Sequence, residues 1–140
     1  MKLLAILLLA GSGLLACQQK DSIAPATGVG QPFEVAYQQT ATLPVSSAGT
    51  ILATLTQVVD SRCPANAYCI WAGNAEVAVA ITDGGSAVQT VRLSLTPRLV
   101  PDSVTVTLHQ QSYWLRLLDV KPYPGTSDQT KTATLRLRPQ

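Results

Sequence analysis

The stretch that most constrains this chain runs from Ala75 to Leu95. Ala75, Val77, Val79 and Ile81 alternate with Glu76, Ala78, Ala80 and Thr82, and Asp83-Gly84-Gly85-Ser86 follows at once. Beyond it Val91, Leu93 and Leu95 alternate with Thr90, Arg92 and Ser94. A period of two puts the apolar side chains on one face of an extended strand. The glycines accept the positive φ that a tight hairpin turn demands. The segment therefore predicts two antiparallel strands, each with one face buried, and the rest of the fold must cover that face.

The remaining sequence repeats the pattern. Phe33, Val35 and Tyr37 alternate with Glu34, Ala36 and Gln38, and Leu43-Pro44 with Ser46-Ser47-Ala48-Gly49 then break the chain. Thr50 to Val59 mixes Ile51, Leu55 and Val59 with threonines, so its faces are less distinct, but its β-branched residues disfavour a helix. Val104, Val106 and Leu108 alternate with Ser103, Thr105, Thr107 and His109. Tyr113 to Val120 is apolar on both faces apart from Arg116 and Asp119, which predicts a central or bulged strand. Lys121 to Asp128 carries two prolines and reads as a loop, and Ala133, Leu135 and Leu137 form a last alternating strand. The expected architecture is all-β: one antiparallel β-sandwich of about seven strands over residues 33–140, with a small barrel as the alternative.

The N-terminus carries different information. Leu3 to Ala16 is apolar or small throughout and follows a single Lys2. It is too short for a membrane-spanning helix, which needs about 20 residues, and fits a secretory signal over residues 1–16. Leu14-Leu15-Ala16-Cys17 resembles the lipobox of bacterial lipoprotein precursors. The resemblance implies cleavage before Cys17 and diacylglycerol on its sulfur, hence a palmitate-type lipid anchor in the cell envelope. The expected site is the outer membrane, with surface display as a lead. The alternative is an ordinary signal peptide that leaves Cys17 incidental. Residues 17–32 are polar and rich in Gly and Pro, as expected of a flexible tether. Within them Gln19-Lys20-Asp21-Ser22 is similar to the export signals of Bacteroidota surface lipoproteins, with a plain linker as the alternative.

Charge narrows the partners. The whole chain is +2, and nine basic against eight acidic side chains remain once Lys2 is set aside. They are scattered with no basic run, so nucleic acid and anionic membrane surfaces are not expected partners. The membrane contact expected is the lipid on Cys17, and a protein or glycan partner is left open.

The densest run of unusual residue types is Asp60-Ser61-Arg62-Cys63-Pro64 through Cys69-Ile70-Trp71-Ala72-Gly73. In a secreted chain Cys63 and Cys69 are expected to form a disulfide. A metal site would need more ligands than two thiolates and His109, the one histidine, so no metal and no cofactor are expected. The spacing also differs from the two-residue gap of a redox motif. Trp71 is expected to pack over the disulfide as part of the core; the other reading makes it a partly exposed anchor, flanked by Arg62 and Tyr68. The segment resembles one found in poorly characterised bacterial secreted proteins and lipoproteins. That resemblance implies a small β domain in the envelope and brings no activity with it.

An enzyme is hard to assemble from these residues. No serine sits in a Gly-x-Ser-x-Gly elbow, and Asp60, Glu76, Asp83, Asp102 and Asp119 are dispersed, with no acid pair or calcium loop. His109 is expected to be an exposed strand residue. The leading expectation is a non-enzymatic binding or structural module anchored in the envelope. The alternatives are an inhibitor that presents the Cys63–Cys69 loop, and a hydrolase that uses His109.

Overall fold

The computed structural model describes residues 28–45, 49–85, 87–127 and 129–140. The leader, Cys17 and the tether up to residue 27 lie outside the described residues. Eight strands follow in order: β1 Pro32–Ala36, β2 Thr40–Val45, β3 Gly49–Asp60, β4 Ala75–Thr82, β5 Gln89–Ser94, β6 Ser103–Leu108, β7 Gln111–Lys121 and β8 Thr132–Pro139. They form two four-stranded antiparallel sheets, β1-β8-β7-β6 and β2-β3-β4-β5. The architecture is a sandwich, and the barrel alternative is set aside because the two sheets remain separate.

Topology follows from the hairpins. The chain lays β1 in the first sheet, crosses to build β2 to β5 as a meander, then returns for β6 to β8. The alternating residues meet between the layers: Val77, Val79 and Ile81 face Leu115, Leu117 and Leu135 across one buried core. Phe33 and Tyr113 are the aromatic side chains in that core. The Tyr113 hydroxyl donates to Gln111 Oε1 at 3.2 Å, which satisfies the polar end of a buried ring.

Three departures from expectation have local causes. Leu43-Pro44 does not break the chain but lies within β2, where Pro44 is exposed on an edge strand and removes no interior ladder bond. A bulge between Leu55 and Gln57 flips the later part of β3, so Ile51 and Leu55 point inward while Val59 is exposed. The folded part also reaches back past Phe33 into the segment expected to be tether. The Gly30 N–H donates to the Leu137 carbonyl at 2.7 Å, and Val29 packs on the core. The expectation for β7 holds on both counts: it lies between β6 and β8, and its register shifts between Leu117 and Asp119.

The strands give the molecule two distinct ends. The chain enters at Gly28, beside the end of β8 and the Pro44 carbonyl. The connection from β3 to β4, residues 61–74, leaves from the other end, where β7 finishes and β8 begins. The 12 residues of β3 separate the two by about 35 Å.

Candidate functional site

The connection between β3 and β4 is held at its base before it projects. Asp60, the last residue of β3, is 5% exposed at its side chain and accepts hydrogen bonds from Arg62 and Lys131. Arg62 Nε and Nη2 each lie 2.8 Å from a different Asp60 oxygen, and Lys131 Nζ approaches to 2.7 Å. Arg62 also donates to the Val120 carbonyl at 2.7 Å and lies 4.5 Å from the centre of the Tyr123 ring, while Lys131 donates to the Pro122 carbonyl. Burial pushes the Asp60 carboxyl up, but the bonds from Arg62 and Lys131 outweigh it and hold the group below the usual carboxylate range. The same bond to Asp60 raises the Arg62 guanidinium further above its ordinary value. Arg62 is therefore a fixture of the loop base and not part of an exposed surface, which corrects the expectation for it.

Backbone contacts continue the support. Ser61 N–H donates to the Asn74 carbonyl at 2.8 Å, and Cys63 N–H to that of Ala72 at 2.9 Å. Asn74 then reaches sideways, donating to Ser94 Oγ at 2.7 Å and accepting from the Thr96 N–H at 3.0 Å. Gly73 is required here: its φ is +72°, and an added Cβ would lie 1.9 Å from the Ser61 carbonyl oxygen. Ala65 N–H donates to the Pro124 carbonyl, so the loop between β7 and β8 braces the outer part as well.

Cys63 and Cys69 form a disulfide with Cα atoms 5.8 Å apart, within the usual range. Beyond this framework the apolar side chains turn outward. Tyr68 and Ile70 are fully exposed, and Trp71 is 77% exposed. Trp71 does not pack into the core, because the pairing of β3 and β4 begins only at Ala75 and the sandwich interior is already filled by aliphatic side chains. Tyr68 and Trp71 stand where the binding reading needs them, and Ile70 joins them. The exposure of Ile70 has no signal in the sequence, because an apolar residue next to Cys69 is equally compatible with a buried position.

His109 is not an exposed strand residue. It sits in the turn between β6 and β7 with φ +49°, its N–H donates to Asp83 Oδ2 at 2.7 Å, and its ring packs against Gly49. Nε2 is buried without a hydrogen-bond partner among the described residues. A general base must reach its substrate's proton, so this nitrogen would act only if the turn opened. The N–H groups of His109 and Gly85 lower the Asp83 carboxyl below its ordinary value. Among the described residues no group of three His, Cys, Asp or Glu side chains could hold a metal ion. No protein family, curated protein or solved structure matches the chain.

Proposed function

We propose that this chain is a lipid-anchored protein of the bacterial envelope whose sandwich presents the 61–74 loop as a non-enzymatic binding tip. The observation that carries the reading is the contrast within one loop. Its base is fixed by a buried ion cluster, a disulfide and braces from two neighbouring loops. Its tip exposes Tyr68, Ile70 and Trp71 to solvent. Scattered exposed apolar residues are ordinary, whereas three within four positions on a rigid projection resemble a partner's anchor site. Rigidity favours binding because little freedom is left to lose on association. The lipobox supplies the anchor, and the chain enters the fold at the end away from this tip.

The partner class favoured is a protein with an apolar cleft. A photo-crosslinking residue at Ile70 should capture a discrete partner in intact cells, and one at Thr90 on the outer face of β5 should not. Trp71→Ala should abolish the Ile70 adduct while changing folding stability by less than about 0.5 kcal/mol, since its side chain leaves no cavity. A marked loss of stability would mean that Trp71 is structural, and an unchanged adduct would remove the tip from binding. A second reading is favoured by Tyr68, which stands fully exposed inside a braced, stapled loop: an inhibitor that occupies a protease groove. Absence of inhibition across a protease panel at micromolar protein excludes it.

A further inference from the structure

The fold gathers charges that are scattered in sequence. On the outer face of the first sheet, Trp114 and Arg116 of β7 lie directly across from Arg138 and Arg136 of β8. On the other side of β7, Thr105 pairs with Trp114 and Ser103 with Arg116. Three guanidiniums therefore surround one tryptophan, which is 57% exposed. Arg116 is paired with Asp102 at 2.9 Å, but neither Arg136 nor Arg138 has an ion pair among the described residues. Arg136 Nε is buried without an acceptor there. Glu34 of β1 and Asp119 of β7, both across from Thr134, are the acidic groups on the rim, and Asp119 is paired with Lys121 at 3.4 Å. Like charges placed directly opposite on adjacent strands repel, so Arg116 and Arg136 invite an anion between them.

We infer that the tether-proximal half of this face docks on an anionic lipid surface, with the arginines on headgroup phosphates and Trp114 at the headgroup level. The inference rests on the lipid anchor at Cys17. Its particular support is where the chain enters. Gly30 bonds to Leu137 two residues before the Pro32–Arg136 pair, which puts it on the edge strand level with Arg138. Two strand spacings, about 10 Å, then separate it from Trp114. Ten residues lie between Cys17 and Gly28 in the sequence, and a coil of that length spans about 17 Å. A lipid on Cys17 therefore keeps this face within reach of the headgroups. Arginine suits bidentate phosphate contact, and tryptophan favours the membrane–water boundary. Each cation near an anionic surface is worth about fivefold in binding. Two uncompensated arginines thus give about 25-fold, too little to recruit the protein from solution but enough to orient a body already tethered.

The test uses the processed protein from membranes, reconstituted in vesicles of phosphatidylcholine alone or with phosphatidylglycerol added. In a Trp71→Phe background the fluorescence reports Trp114, and lipids with brominated acyl chains quench it when it reaches the interface. At least twofold more quenching is expected with phosphatidylglycerol, falling to the neutral-lipid level in high salt and in the triple variant Arg116→Gln, Arg136→Gln, Arg138→Gln. The corresponding Arg→Lys variant, which keeps the charge, should retain most of it. Equal quenching in both vesicle types, or in the Gln variant, overturns the docking face. So does a Trp114 response to a soluble acidic polysaccharide in place of the anionic vesicles. Failure to float even with neutral vesicles would overturn the anchor itself, a result distinct from floating with Trp114 unquenched.

Discussion

Asp60 decides how the loop is held, because cations from two other segments converge on its carboxylate. Arg62 comes from the loop, Lys131 from the segment before β8, and both also cap carbonyls of the chain leaving β7. Asp60→Asn would leave two partly covered cations facing a neutral amide, a change expected to cost about 2 kcal/mol once their partial exposure is allowed for. The pH dependence has a definite sign. The folded-state pKa of Asp60 is depressed, so its contribution is present above the unfolded value near 3.9 and is lost as pH falls through the folded one. Denaturant unfolding should therefore show the full difference between wild type and Asp60→Asn at neutral pH, shrinking below about pH 4. A difference of equal size at both ends of that range would mean that the carboxylate's charge is not what stabilises the base.

Among the elements, the stapled loop separates what can be read in the residues from what the fold alone supplies. Replacing both Cys63 and Cys69 by Ser should lower stability by about 2 kcal/mol, the chain-entropy value for so short a loop. It should shift the denaturation midpoint with an unchanged slope, because Asp60, Gly73 and Asn74 still fix the base. A changed slope or loss of the fold would show the disulfide to be part of the architecture. The staple was legible because the expected secretion signal and the spacing leave few other uses for two cysteines. Most strands were legible too, since β4 and β8 keep strict alternation. The orientation of Trp71 was not legible, because a tryptophan beside a disulfide is compatible with either side of the chain surface. Nor was the loss of Arg62 from the surface, since the Val120 carbonyl and the Tyr123 ring that hold it are distant in sequence. The arginine face was invisible for the same reason: Arg116 and Arg136 meet only through the register of β7 with β8.

At the scale of the whole molecule, the start of the described chain and the loop tip lie at opposite ends of the sandwich. The described chain begins at Gly28 near the Pro44 carbonyl and bonds to Leu137 through Gly30, while Tyr68, Ile70 and Trp71 project from the far ends of β3 and β4. The described core draws on residues 29–137 and the proposed lipid sits on Cys17, so the two should be separable by mutation. Cys17→Ser should leave the thermal unfolding of the sandwich unchanged, because the core of the described residues forms without it. It should also convert a membrane-associated product into an unprocessed or soluble one. Normal membrane fractionation of this variant would refute the lipid anchor. If the wild type does remain with the membrane, protease treatment of intact cells distinguishes its two orientations. Cleavage after Tyr68 in untreated cells means surface display, and cleavage only after the outer membrane is opened means a periplasm-facing tip. Tyr68 lies between Cys63 and Cys69, so the cut pieces stay joined until the disulfide is reduced. Fragments that separate without reductant would place the cut outside the staple.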